Sequence, residues 1–240
     1  MNLEQLILRK ILPTLLPSPV KARHSQYSML YSADDERGQA SNRLISIALD
    51  AIKNAQEVSL KDVSSRLNNP PSYPDIWPGE HYKLLAGLML TIKPKIVIEI
   101  GTYTGISALT MKKFLGLEAK LYTFDIFEWQ SFKDTCLKQE DFSDGKLIQC
   151  IDDLTDPSVM DKHRDMLANA DLIFIDAAKD GSQEQKFLDN FEKIRFKTKP
   201  IFVFDDIRVW NMLKIWREID RPKLDLTSFG HWAGTGLVEW

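Results

Sequence analysis

"IVIEIGTYTGISALTM", residues Ile96 to Met111, decides how this chain folds. Branched apolar residues and one acid, Glu99, run directly into Gly101, and Gly105 follows four residues later. Beyond Gly105 the text reads as helix. A buried strand that turns at once into a helix needs a residue free to take a sharp backbone angle, which Gly101 supplies. Gly105 then lets a ligand come close to the main chain. The rival reading is a plain strand-to-helix turn with no ligand, and the rest of the chain has to choose between the two.

From His81 onward short apolar runs alternate with helical patterns. Strands are expected at "KIVIEI", "KLYTFDI", "GKLIQCI", "ADLIFIDA" and "KPIFVFDD", with "LDLTSF" and "TGLVEW" closing the sequence. Helices are expected at "HYKLLAGLMLTI", "GISALTMKKFLG", a stretch up to Leu137, Val159 to Leu167, "SQEQKFLDNFEKI" and "VWNMLKIWREI". Nearly continuous apolar strands separated by helices imply a parallel sheet covered on both faces. The fold class expected is therefore α/β, a doubly wound, Rossmann-like, mostly parallel sheet of seven strands. "GHWAG" is too short for a parallel crossover, so the last two strands should form an antiparallel hairpin.

Residues 1–75 read as a helical N-terminal extension serving as a lid, acceptor wall or oligomer contact, and 76–240 as the main domain. "LEQLILRKILPTLLP" and "NRLISIALDAIKNA" have helical periodicity, and Ser59 with Asp62 resembles a capping box. The proline-rich "NNPPSYPDIWPGE", Asn68 to Glu80, marks the boundary.

Bulk composition narrows the classes. The 240 residues are 44% hydrophobic and 27% charged with net charge −3, which gives no basic footprint for nucleic acid. No apolar run is long enough for a membrane span, and no secretory signal is evident, so a cytoplasmic protein is expected. Cys136 and Cys150 read as buried free thiols.

In doubly wound sheets ligands sit beyond the carboxyl ends of the strands. Asp125 ends the second strand, where a carboxylate accepts bonds from ribose hydroxyls. Asp152 and Asp153 follow the third, where an acceptor meets an exocyclic amine. Asp176 ends the fourth, and Asp205 and Asp206 end the fifth. A nicotinamide dinucleotide would want G-x-G-x-x-G, whereas this turn has no middle glycine and carries Glu99 just before it. An acid there suits an α-amino group or a sulfonium cation, which points to S-adenosylmethionine.

"VIEIGTYTGISAL" resembles the first motif of class I methyltransferases, and is closest in wording to the small-molecule O-methyltransferases of the catechol and caffeoyl-CoA type. The likeness runs from about Glu80 to Asp206, with a weaker one at the hairpin. It implies that Glu99, Gly101, Tyr103, Gly105 and Ser107 hold the methionine part, Asp125 the ribose, and Asp152 or Asp153 the adenine. It also implies a divalent cation, usually Mg²⁺, at Asp176, Asp205 and Asp206, with Lys179 at the D-x-x-K spacing as base. Asp206 stands where the family has asparagine, which opens a metal-independent N- or O-methyltransferase with His231 or Asp206 as base.

His231 and Trp232, in the hairpin turn, reach over the same end of the sheet. His24, His81 and His163 read as ordinary surface or helix-end residues, and Trp129 as core with adenine stacking as the rival role. The partner expected is a small-molecule acceptor, with a homodimer left open. A cofactor-binding module without catalysis, and a nicotinamide oxidoreductase, are the competing classes.

Overall fold

The computed structural model describes residues 38–67 and 73–240. The helix expected over Leu3 to Pro17, and His24, lie outside the described residues.

Helix α1 (Asn42–Glu57) begins at Ser41, whose Oγ accepts the Leu44 N–H at 3.0 Å. It buries Leu44, Ala48, Ala51 and Ala55, a helical stripe at spacings of three and four. Helix α2 (Lys61–Ser64) is a single turn. Its expected Ser59–Asp62 capping box does not form. The N-cap is Leu60, whose N–H donates to Asp75 Oδ1 at 2.7 Å, while Asp62 pairs with Lys113 at 2.5 Å. Helix α3 (His81–Ile92) then leads into strand β1 (Ile96–Ile100).

The remaining elements alternate: α4 (Ile106–Lys113), β2 (Lys120–Asp125), β3 (Leu147–Ile151), α5 (Pro157–Lys162), α6 (Arg164–Leu167), β4 (Leu172–Ile175), α7 (Ser182–Phe191), β5 (Ile201–Asp205), α8 (Met212–Glu218), β6 (Lys223–Asp225) and β7 (Thr235–Glu239). The sheet order is β3-β2-β1-β4-β5-β7-β6. The first five strands pair in parallel, and β7 runs antiparallel to both β5 and β6. The chain travels outward from β1 to β3 and returns to β4 beside β1. The reversal lies between β1 and β4, where a crevice opens at the carboxyl ends.

Two apolar cores flank the sheet. Val97 joins α1, α3 and α4 on one face, and Ile98 and Ile100 join α5 to α8 on the other. Each fully buried Leu, Ile or Phe contributes about 1.5–3 kcal/mol. α1 is part of this shared core.

Two expected helices differ. The stretch before Leu137 holds only a 3₁₀ turn at Trp129–Ser131. Its backbone bonds outward instead, from Trp129 N–H to Gln149 Oε1 at 3.0 Å and from Cys136 N–H to the Thr104 carbonyl at 2.8 Å. The helix over Val159 to Leu167 is broken into α5 and α6 at His163, whose Nε2 lies 2.8 Å from Asp152 Oδ2. Cys136 is buried and Cys150 half-buried, both as free thiols.

Candidate active site

Gly101 ends β1 with φ +103°, and a Cβ there would fall 2.0 Å from the Asp176 carbonyl oxygen. Only glycine lets β1 and β4 close this tightly at the switch point. Gly105 (φ +79°) precedes α4, and its missing Cβ leaves the space that the Leu137 side chain fills. Packing from Leu137, rather than access for a ligand, is what excludes a side chain at Gly105.

Asp125 organises the turn between these glycines. Its Oδ2 accepts the N–H groups of Thr102 and Tyr103, each at 3.0 Å, and its Oδ1 accepts that of Phe127 at 3.1 Å. A carboxylate thus stands at the crevice with its orientation fixed by the main chain.

A cavity of roughly 630 Å³ opens over these strand ends. Gly101, Tyr103, Asp125, Asp152 and Asp153 line one side of it. Asp176, Lys179, Asp205, Asp206 and His231 line the other. Ten of the expected residues therefore meet in one space. Glu99, Gly105 and Ser107 do not line it; Trp129 lies half-buried, stacked on Phe142 at 5.6 Å.

Glu99 is 0% exposed, and neither of its oxygens has a hydrogen-bond partner among the described residues. Burial drives its pKa up to about 8, against the pull of the Ser107 and Thr123 hydroxyls, which lie nearby but outside good hydrogen-bond geometry.

Lys179 bridges two acids. Its Nζ lies 2.5 Å from Asp176 Oδ1 and 3.1 Å from Asp206 Oδ2. Burial would favour loss of the proton, but Asp176 and then Asp206 overcome it and hold the ammonium above its ordinary range. Asp176 is pushed up by burial and by the negative Asp205, against Lys179.

His81, read from sequence as an ordinary residue, is 4% exposed and sits inside this cluster. Its Nδ1 lies 3.2 Å from Asp205 Oδ1, and His231 Nδ1 lies 3.5 Å from the same oxygen and 3.1 Å from Asp206 Oδ1. His231 Nε2 faces Glu80 Oε2 at 3.6 Å. Burial would raise the Asp205 carboxyl, yet the two imidazoles hold it well below its usual range. The same carboxylates raise His231 to about 10 against the effect of burial. An isolated backbone bridge between Gly79 and His231 docks the start of α3 on the hairpin turn and brings these groups together. No local pattern marks His81, since its partners lie far along the chain.

Three non-glycine residues of the cavity wall, Tyr103 (φ 41°), Lys179 (φ 60°) and Asp206 (φ 57°), hold left-handed backbone. Each costs of order 1–3 kcal/mol, and such strain clusters where geometry is needed for chemistry.

The sequence pattern of the O-methyltransferase family matches residues 55–211, well over half the chain. No curated protein sequence matches significantly. Among solved structures, the chain is similar to the O-methyltransferase TomG from Streptomyces achromogenes, involved in tomaymycin synthesis and solved in complex with SAM. The identity is 16% and the TM-score 0.51, covering 80% of this chain and 89% of that one. It is also similar to a provisionally designated caffeoyl-CoA O-methyltransferase from Staphylococcus aureus, with 16% identity, TM-score 0.50, and coverage of 82% and 98%. At such identity the likeness speaks to the fold. With more than half its length matching the family pattern and its sheet wound as the neighbours' are, the chain belongs to the O-methyltransferase family, whose members are S-adenosylmethionine-dependent enzymes.

Proposed function

We propose that this protein transfers the methyl group of S-adenosylmethionine to a hydroxyl of a small-molecule acceptor in the cavity above β1, β4 and β5. The observation that carries this reading is the Lys179 ammonium held between Asp176 and Asp206 beside the Gly101–Asp125 turn. When bound, S-adenosylmethionine supplies a methyl carbon activated by a sulfonium sulfur. Gly101 and Tyr103 are assigned to its methionine part, with Glu99, Gly105 and Ser107 shaping the turn from behind. Asp125 is assigned to the ribose and Asp152 or Asp153 to the adenine side. The orphaned oxygens of Glu99 fit a cationic ligand nearby.

The acceptor oxygen forms a bond to the methyl carbon as the carbon–sulfur bond breaks, and its proton passes to the protein. Holding two reactants in line makes the attack effectively unimolecular. Lys179 and His231 are the groups within the cavity assigned to that proton, and both are kept protonated by neighbouring carboxylates. Each therefore serves as positive charge beside the reacting oxygen until its carboxylate neighbours are neutralised.

Asp176, Asp205 and Asp206 bring carboxylate oxygens within 4.8 Å of one another, a donor set suited to a hard cation such as Mg²⁺. A cation there would supply that neutralisation and lower the pKa of a coordinated oxygen. It would have to displace the Lys179 ammonium from Asp176 and Asp206. The metal-independent alternative draws on the same contacts.

Residues 1–75 are assigned to the acceptor wall or a dimer contact, supported by the exposed Ile45 and Leu49 on α1. Among the described residues no helix is long and apolar enough to cross a membrane.

The test is calorimetric titration with S-adenosylhomocysteine, with NAD as control, followed by a methyl-transfer screen of hydroxylated acceptors. Micromolar binding of the nucleoside and none of NAD is expected. Tight NAD binding would overturn the reading.

A further inference from the structure

We propose that His81, Asp205 and His231 form a binding site for a borderline first-row transition ion of the Zn²⁺ type, which shares Asp205 with the all-oxygen Asp176–Asp205–Asp206 set and differs from it in its two imidazoles. One ligand atom from each of the three lies within 4.8 Å of the others. The two separations from Asp205 Oδ1, 3.2 Å to His81 Nδ1 and 3.5 Å to His231 Nδ1, suit a small ion. Three donors around an ion at ligand distances of about 2.0–2.2 Å lie roughly 3–3.5 Å apart.

The second observation is His81 itself. It is 4% exposed, and neither ring nitrogen has a hydrogen-bond partner among the described residues. Asp205 Oδ1, 3% exposed as a residue, is equally without one, because the approach of His81 lacks hydrogen-bond alignment. Buried polar groups are costly when unmet, and His81 Nδ1 and Asp205 Oδ1, both unmet and facing each other at 3.2 Å, call for an occupant. The ring is fixed by Phe174 at 5.3 Å and Tyr82 at 4.2 Å, so it is held ready rather than free to turn away.

Donor chemistry separates the two sets. Imidazole nitrogens favour Zn²⁺, Co²⁺ or Ni²⁺ over Mg²⁺, which prefers oxygen. The all-oxygen set already has a cation, the Lys179 ammonium on Asp176 and Asp206. Among the described residues, the nitrogen-containing set has no lysine or arginine in its ion pairs. Two histidines and one carboxylate leave further coordination positions open, as catalytic zinc sites do. His231 lines the cavity, so those positions face the space where an acceptor oxygen would sit.

The experiment is titration of the full chain at pH 8 with Co²⁺, read by its visible d–d absorption, and with Zn²⁺ and Mg²⁺ by calorimetry. The wild type should bind Co²⁺ and Zn²⁺ in the micromolar range or tighter, with Mg²⁺ at least a hundredfold weaker. H81Q and H231Q should each weaken Zn²⁺ binding tenfold or more, and D176N should change it less than threefold. Circular dichroism and S-adenosylhomocysteine binding show that each variant is folded. Should H81Q fail to fold, H231Q alone decides, because its ring is partly solvent-facing. The proposal is overturned if Zn²⁺ does not bind, if H231Q leaves it unchanged, or if D176N costs as much as the histidine variants. None of these readouts depends on methyl transfer, so this site stands or falls separately from the proposed reaction.

Discussion

The Cα of Gly101 faces the Asp176 carbonyl oxygen so closely that an added Cβ would lie 2.0 Å away. The pair locks the ends of β1 and β4 at the point where strand order reverses. Gly101→Ala adds a clash with backbone and a left-handed strain at φ +103°. It should destabilise the fold by about 2–4 kcal/mol, which urea unfolding measures. A loss under about 0.5 kcal/mol would show that the strand ends are free to part.

Asp125 satisfies three main-chain N–H groups as well as facing the cavity. Asp125→Ala should cost about 1–3 kcal/mol of stability by leaving those donors without a partner. Nucleoside affinity should fall at least tenfold. Intact affinity in a stable variant would remove Asp125 from the ribose assignment.

Glu99 gives a pH signature. The unfolded chain releases this proton near its ordinary 4.5 and the folded chain near 8. Stability from this group is therefore complete below 4.5 and is lost as pH climbs to 8, on the order of a few kcal/mol. Glu99→Gln should flatten the profile, with its largest stabilisation at the alkaline end. Denaturation midpoints taken across that range check the slope, and parallel wild-type and variant profiles would contradict it.

The Lys179 side chain touches two acids, while its main-chain N–H, which a substitution keeps, donates to Glu184 Oε1 at 2.7 Å. Lys179→Met should lower kcat by about 10²–10⁴ while S-adenosylhomocysteine affinity stays within about threefold. Steady-state kinetics with a reactive acceptor, paired with calorimetry, separates the two effects. Unchanged kcat would transfer the proton-handling role to His231.

Trp232 is 75% exposed, its ring 5.3 Å from that of His231, which lines the cavity. Exposed Tyr103, Phe127 and Trp210 add to the apolar surface of the chain. Trp232→Ala should raise the acceptor KM roughly tenfold, about 1.4 kcal/mol, with stability unaffected. Equal acceptor KM in the two proteins would leave that tryptophan without a substrate role.

The strands and the carboxylates at their ends were legible because each is a local pattern: an apolar run closing on an acid. The short link between β6 and β7 was legible for the same reason: it spans residues 226–234, nine rather than the five expected, and is still too short for a parallel crossover. His81 was not. It opens a helix in a polar sequence context, and only the folding of β5 and the hairpin turn against α3 gives it Asp205 and His231. Glu80 was overlooked on the same grounds. The break at His163 and the missing helix before Leu137 share a cause, because in both places a side chain or backbone group finds its partner on another element. Gly105 was read as a space for a ligand, whereas Leu137, distant in sequence, fills it.

The place of β7 between β5 and β6 governs when the protein comes to life during synthesis. β6 has no strand to pair with until β7 has been made, and β5 keeps an open edge bearing Ile201 and Val203. A nascent chain halted before residue 230 also lacks His231. The ribosome must therefore deliver almost the whole described sequence before the cavity is complete, and in that interval an unpaired apolar edge needs shielding from other chains.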